Sequence, residues 1–130
     1  MDILKHKNLS IVKLTNRQKA SGDNKLFKEL PYWFQEAETK DAVCSLSMHF
    51  QWHDGTWING EWLGCKGCKW LNGTWLDGTW HNGIWDNGIW LNGIWVAGDH
   101  KKGIWVKGYY RKKLCLGFNK KGKPIFAKDF

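Results

Sequence analysis

A tryptophan at every fifth position, followed three residues later by glycine, is the dominant feature of this chain. The repeat extends from Trp52 to Tyr110 and contains ten of the 11 tryptophans. A five-residue period does not match an α-helix, and each glycine in a helix interior would cost about 1 kcal/mol. Because the Ile, Thr, Leu and Val residues beside the tryptophans favour extended backbone, the repeat predicts an all-β structure.

Asparagine–glycine and aspartate–glycine pairs separate the extended stretches. Asn, Asp and Gly tolerate the positive φ angles that tight corners require. The pairs are Asp54-Gly55, Asn59-Gly60, Asn72-Gly73, Asp77-Gly78, Asn82-Gly83, Asn87-Gly88 and Asn92-Gly93. Each G-x-W-x-N unit is therefore predicted to form a three-residue extended side followed by a corner.

Two architectures accommodate such units. In a β-solenoid the sides wind into coils that stack at about 4.8 Å, and tryptophans one coil apart contact each other. In an antiparallel meander the corners are hairpin turns, and tryptophans five residues apart face each other across strands. We favour the solenoid, because a meander of such short strands would enclose little interior.

Residues 50–110 resemble the pentapeptide-repeat proteins, with glycine in that family's small-residue position and tryptophan in its large apolar position. The resemblance implies a right-handed β-solenoid with four sides per coil and inward-facing tryptophans. The stacked pairs would be Trp70 on Trp90, Trp75 on Trp95 and Trp80 on His100. The coil that begins at Trp52 would be two residues shorter than the others. Gly60-Glu61-Trp62 carries a weaker resemblance to MORN repeats.

The residues before the repeat are predicted to close its first end. Residues 1–42 form an N-terminal flank, with a short strand at Leu9–Leu14 and a short helix at Asn24–Leu30 that Pro31 ends. Residues 43–110 form a capping strand and the repeat. From Val43 the apolar residues alternate, which indicates one half-buried strand leading into the repeat. The apolar side of that strand consists of Cys44, Leu46, Met48, Phe50 and Trp52.

Residues 111–130 are predicted to form a basic hairpin that caps the other end of the repeat. Its strands are Leu114–Phe118 and Pro124–Phe130, and its polar turn contains a glycine.

The chain carries a net charge of +8, of which residues 111–130 contribute +6, whereas residues 51–110 are neutral. The candidate contacts for nucleic acid or another polyanion are Arg111, Lys112, Lys113, Lys120, Lys121 and Lys123. Since the repeat has no net positive charge, we interpret its tryptophans as core and not as a base-stacking surface.

The motif Cys65-Lys66-Gly67-Cys68 lies where the five-residue period breaks. A C-x-x-C pair provides half of a zinc site, so Cys65 and Cys68 are candidate metal ligands. The scattered candidates for the remaining ligands are Cys44, Cys115, His49 and His53. Without an export signal, all four cysteines are expected to be reduced. The alternative is a corner loop that absorbs the change of phase.

The sequence contains no recognisable catalytic motif. We therefore expect a non-enzymatic structural or protein-interaction module. The one candidate cofactor is zinc at Cys65 and Cys68. The module would bind a protein partner, or a second copy through the solenoid ends. Short G-x-W arrays of this kind look like those of bacteriophage and viral proteins, which suggests a viral accessory or virion component. The alternative is nucleic-acid binding by the basic hairpin. A cytoplasmic protein, or a virion protein, without a membrane span is expected.

Overall fold

The repeat forms a β-solenoid of about four turns in the computed structural model, which describes residues 11–13, 29–46 and 48–126. The repeat strands pair in parallel with the strands of the neighbouring coils. The all-β solenoid prediction is therefore confirmed, and the antiparallel meander is excluded.

The strands of the repeat are short, and the longer elements lie at its ends. Helix α1 (Tyr32–Glu36) directly precedes the first long strands. The strands are β1 (Ile11–Lys13), β2 (Glu38–Leu46), β3 (Phe50–Asn59), β4 (Glu61–Trp62), β5 (Lys69–Trp70), β6 (Thr74–Trp75), β7 (Thr79–Trp80), β8 (Ile84–Trp85), β9 (Ile89–Trp90), β10 (Ile94–Trp95), β11 (Asp99–His100), β12 (Ile104–Trp105), β13 (Tyr109–Tyr110), β14 (Lys113–Phe118) and β15 (Pro124–Phe126).

Each coil has three sides and not four. Trp70 pairs with Trp85, fifteen residues later, so the predicted stacking of Trp70 on Trp90 is wrong. The other predicted stacks are wrong for the same reason, since the observed pairs are Trp75 with Trp90, and Trp80 with Trp95. The first face contains β5, β8 and β11, the second face β6, β9 and β12, and the third face β4, β7, β10 and β13. Strand β3 starts both the first and the second face.

The size of the indole explains the triangular coil. Along each face the rings stack nearly parallel, with centroids 4.6–5.0 Å apart. Within a coil, neighbouring rings meet edge to face at 5.7–5.9 Å, which is a favourable aromatic geometry. Three indoles per coil therefore fill the interior, and a fourth side would require additional filling.

Most of the repeat glycines make room for an indole of the coil beneath them. Gly88 has a φ of 128°, and a Cβ there would lie 2.9 Å from Nε1 of Trp70. The same Cβ would lie 2.5 Å from the backbone oxygen of Gly73. The recurrence of glycine therefore follows from both the corner conformation and the close approach of the coils.

The break in the period lengthens one coil. Trp52 pairs with Trp70, eighteen residues later, whereas the regular spacing is fifteen. The expectation of a coil shortened by two residues is wrong, because the coil instead contains three extra residues. These residues lie in the loop at Cys65–Cys68, as the corner-loop interpretation predicted.

The lead-in to the repeat is a hairpin and not one strand. Strands β2 and β3 are antiparallel, with Leu46 opposite Phe50. Met48, predicted to lie on the buried side, is at the turn and 87% exposed. The alternating pattern was wrongly interpreted as one continuous strand, because both strands place their apolar residues on the same side of the hairpin.

Helix α1 begins after Pro31, and most of the helix predicted at Asn24–Leu30 lies outside the described residues.

The C-terminal hairpin was predicted correctly. Strands β14 and β15 are antiparallel, and β14 pairs with β13 on the third face. Asn119 Oδ1 accepts hydrogen bonds from the backbone nitrogens of Lys121 and Lys123, at 2.8 and 3.0 Å, and so fixes the turn. Phe118 reaches the end of the core and stacks on His100 with ring centroids 4.2 Å apart. Residues 127–130 of the predicted second strand lie outside the described residues.

Candidate functional site

The tryptophan ladder is the core of the protein. Nine tryptophans are fully buried, and they are Trp52, Trp57, Trp62, Trp70, Trp75, Trp80, Trp85, Trp90 and Trp95. Trp105, in the last complete coil, is half-buried. The rings are therefore not exposed for stacking with bases or sugars, and the interpretation of the ladder as core is confirmed.

Positive charge is concentrated at the C-terminal end of the solenoid. Residues 99–126 contain nine Lys and Arg residues and one acidic residue, Asp99. Within the described part of the chain, none of these nine cations lies within ion-pair distance of a carboxylate. Their charges are consequently available to a ligand, as solvated surface charges are.

Three lysines from two separate segments line one cleft of about 180 Å³ at this end. Lys101 follows β11, and Lys120 and Lys121 belong to the turn between β14 and β15. The turn lies against β11, since a Cβ at Gly122 would be 3.0 Å from the backbone oxygen of His100. Lys101 was not among the predicted contacts, because it belongs to the electrically neutral repeat and lies outside the basic segment that begins at residue 111.

A second cleft, of about 400 Å³, combines cations with aromatic rings. Its cations are Arg111, Lys112 and Lys113. The Arg111 guanidinium lies 5.2 Å from the centre of the Tyr110 ring, and the Lys113 ammonium lies 5.4 Å from that of Phe126. Arg111 Nε also donates to the backbone oxygen of Val96 at 2.9 Å. Five of the six predicted anion-contact residues thus line two clefts, and Lys123 is exposed in the turn.

Exposed apolar residues form a strip beside the second cleft. Ile94, Tyr109 and Leu114 lie side by side on the outer surface of the third face, because Tyr109 pairs with both of the others. They are 39%, 47% and 49% exposed. We call these three residues the apolar strip. Contiguous exposed apolar residues are a feature of surfaces that contact another macromolecule.

A third cleft lies at the opposite end of the solenoid. It has a volume of about 290 Å³ and is lined by Tyr32, Trp33, Glu36, Gly60, Glu61 and Leu63. Lys and Arg do not occur among these residues, and the two carboxylates make the cleft acidic. The clefts at the two ends of the solenoid therefore carry opposite net charge.

The structure does not complete the predicted zinc site. Cys65 and Cys68 form a disulfide, so they are not the thiolates that zinc requires. The two cysteines are oxidised in the structure, whereas the sequence predicted that they are reduced. Cys44 and Cys115 are free and buried, and burial raises the pKa of the Cys44 thiol to about 12. His53 is hydrogen-bonded to Ser45 at 2.8 Å. The described residues contain no group of three or more His, Cys, Asp or Glu side chains placed to hold a metal ion.

His100 occupies a tryptophan position in the repeat. Its ring stacks between Trp85 and Phe118, and its Nε2 atom is buried without a hydrogen-bond partner among the described residues. Burial lowers the pKa of His100 to about 4, because the charged form is poorly solvated there. His100 is therefore a neutral core residue near pH 7.

Comparison of the chain with models of protein families, with curated proteins and with solved structures found no match. The described residues also include no helix that is long and apolar enough to cross a membrane. The fold and the surface features above consequently define the protein as a tryptophan-filled β-solenoid with a basic C-terminal end.

Proposed function

We propose that this protein is a non-enzymatic interaction module whose C-terminal end binds a protein partner with an acidic surface. The observation that carries the proposal is the concentration of nine unpaired cations at the end of the solenoid that also carries the apolar strip. The buried tryptophans contribute a rigid scaffold, because closely packed aromatic side chains hold the coils in one arrangement. A viral accessory or virion protein, which the sequence resemblance suggests, would use such a scaffold.

The partner surface combines two kinds of contact. The apolar strip contributes area that a partner removes from water, at roughly 25 cal/mol per Å². The cations around it steer an acidic partner and fix its orientation. Tyr109 and Arg111 are also residue types that are enriched in the centres of interfaces.

Strand pairing favours a different protein over end-to-end stacking of identical copies. At the N-terminal end, β2 covers the starts of the first and second faces, and β4 of the third face is an edge strand. At the C-terminal end, β14 covers the third face, and β11 and β12 are edge strands. A second copy that continued the coils would meet a covered face on every side.

Charge reversal at the proposed surface tests the proposal. The double variant Lys112→Glu/Lys113→Glu changes two exposed residues of the second cleft. A matched control, Lys66→Glu/Lys69→Glu, makes the same change of charge at exposed residues in the first half of the solenoid. Affinity for the partner recovered with wild-type protein should fall at least about tenfold for the first variant only. Equal binding by both variants would refute the proposal.

Nucleic acid is the second candidate ligand, and the second cleft is the observation that favours it. Arg111, Lys112 and Lys113 would contact phosphates, while Tyr110 and Phe126 would lie close to bases. Binding of a short single-stranded oligonucleotide should weaken by more than about tenfold between 50 and 200 mM salt if three phosphates are contacted. An absence of binding at low salt would eliminate this candidate and leave the protein partner.

A further inference from the structure

We propose that Cys65 and Cys68 are a reversible thiol–disulfide pair that exchanges with a low-molecular-weight disulfide such as oxidised glutathione. The two residues form a disulfide in the structure, and their Cα atoms are 5.0 Å apart. That separation lies within the ordinary range for disulfides. The turn between them is closed by a hydrogen bond from the Cys68 nitrogen to the Cys65 oxygen at 3.2 Å, so the reduced cysteines would stay close together.

The two sulfur positions differ in access. Cys65 is half-buried in a surface loop, next to the exposed Lys66. Cys68 is only 4% exposed and belongs to the tryptophan core. An exchange partner from solution therefore reaches Cys65 first, and Cys68 is placed to resolve the mixed disulfide. This asymmetry separates the pair from Cys44 and Cys115, which are both buried without a neighbouring cysteine.

A histidine lies beside the accessible sulfur. Nδ1 of His49, in the turn between β2 and β3, is 3.7 Å from Sγ of Cys65. Gly67 permits this approach, because a Cβ at that position would collide with the His49 ring. A neighbouring imidazole and nearby lysines favour the thiolate, which is the reactive form of cysteine. Lys66 and Lys69, both exposed, provide additional positive charge around the loop.

The exchange balances without any further reactant. The Cys65 thiolate attacks one sulfur of oxidised glutathione, which forms a mixed disulfide and releases one glutathione thiolate. The Cys68 thiolate then attacks Cys65 Sγ and displaces the second glutathione thiolate. The protein loses two electrons and two protons, and the two glutathione thiolates take up the protons. Reduction by glutathione reverses both steps.

The position of the loop suggests what the exchange would change. The loop contains the three residues that interrupt the regular coil, and the Cys68 oxygen accepts a hydrogen bond from the Ile84 nitrogen at 2.8 Å. A disulfide therefore fixes this corner against the next coil. We expect reduction to loosen the corner and to increase hydrogen exchange at the Ile84 amide, while the other coils stay protected.

A glutathione titration of the wild-type chain tests the proposal. The native protein is equilibrated in buffers of different glutathione ratios, treated with N-ethylmaleimide and analysed by peptide mass spectrometry. We expect Cys65 and Cys68 to oxidise together with a two-electron dependence. In fully reduced protein we expect Cys65 to react with N-ethylmaleimide at least about tenfold faster than Cys68. Equal rates for the two, or no disulfide at any ratio, would overturn the proposal.

Three variants separate the roles of the residues. Cys68→Ser should accumulate glutathione on Cys65, whereas Cys65→Ser should not accumulate it on Cys68. His49→Gln should slow alkylation of Cys65 several-fold near neutral pH without lowering the melting temperature, and the matched variant His81→Gln should leave the rate unchanged. Glutathione on Cys68 in Cys65→Ser would contradict the assigned order. Stoichiometric zinc in the purified reduced protein, blocking alkylation of both cysteines, would identify a metal site and refute the exchange.

Discussion

In the part of the chain that the structure describes, the N-terminal end of the solenoid is closed by two elements, whereas the C-terminal end is closed by one hairpin. At the N-terminal end β2 pairs with β3 along two faces, and α1 packs against β4 of the third face. At the C-terminal end the third face is extended by β14 and β15, whereas β11 and β12 are the last described strands of the other two faces. The two ends therefore differ in how completely they shield the same tryptophan core.

Burial of the aromatic residues reflects this difference. Phe34 of α1 is fully buried and contacts Phe50, with ring centroids 5.0 Å apart. At the other end Trp105 and Tyr110 are half-buried, and Phe118, itself half-buried, stacks on His100, the last ring of the first face. Basic residues also collect at this thinly covered end. We infer that the N-terminal cap mainly stabilises the fold, and that the C-terminal cap leaves a surface for a partner.

Truncation of one aromatic residue at each end should produce the largest difference. Phe34→Ala should reduce the free energy of unfolding by about 3–5 kcal/mol, because it opens a cavity in a fully buried site. Phe118→Ala should cost less, about 1–3 kcal/mol, because Phe118 is half-buried and neighbouring groups can relax into the space. Urea unfolding followed by tryptophan fluorescence measures both losses. An equal or larger loss for Phe118→Ala would show that the C-terminal cap is as important for stability.

A pair of glycines tests the same difference through the backbone. Gly55 and Gly117 have φ angles of 114° and 148°, so alanine carries a conformational cost at both. A Cβ at Gly55 would lie 2.5 Å from the backbone oxygen of Asp41, whereas the nearest atom to a Cβ at Gly117 is Trp105 Cβ at 4.0 Å.

We therefore expect Gly55→Ala to destabilise the protein by about 2–4 kcal/mol and Gly117→Ala by about 1–2 kcal/mol. Gly117→Ala serves as the control, because it has the backbone cost without the close contact. Thermal unfolding of the two variants measures the difference. Equal melting temperatures would mean that the contact between β2 and β3 relaxes easily.

The strands and the inward tryptophans were predictable, but the number of sides was not. A five-residue unit with glycine at its corner closes equally well into three or four sides, so the period alone does not choose between Trp85 and Trp90 as the neighbour of Trp70. The choice depends on how many indoles fill the interior, which is a property of packing. Likewise, Lys101 joins Lys120 and Lys121 only because the turn folds back on β11. Such a contact between distant segments leaves no local pattern.

Stability should depend on pH because of His100. Its pKa is about 4 in the folded protein and about 6.5 when unfolded, so the unfolded state takes up the proton first as the pH falls. Stability should be complete above pH 6.5 and should decrease by about 2–3 kcal/mol as the pH falls to 4. His53, at the N-terminal end, has a pKa lowered by burial and contributes in the same direction.

The variant His100→Phe isolates the contribution of the C-terminal end. Its stability curve should lie parallel to that of the wild type above pH 6.5 and should fall less steeply below that pH. The difference between the two curves, from urea unfolding at several pH values, reports His100 alone. Curves that stay parallel down to pH 4 would show that His100 is protonated equally in the folded and unfolded states.

Reversal of charge at the C-terminal end should have the smallest effect on stability. Lys112 and Lys113 are exposed and form no ion pair among the described residues, and the contact of Lys113 with the Phe126 ring is worth at most about 1 kcal/mol at a surface. Lys112→Glu/Lys113→Glu should therefore reduce the free energy of unfolding by less than about 1 kcal/mol. The variant also lowers the repulsion among the remaining cations of this end, so a slight increase in the free energy of unfolding would agree with cations that do not support the fold. Urea unfolding at low salt makes this measurement. A loss above 1 kcal/mol would mean that these cations support the fold, and the division of roles between the two ends would then fail.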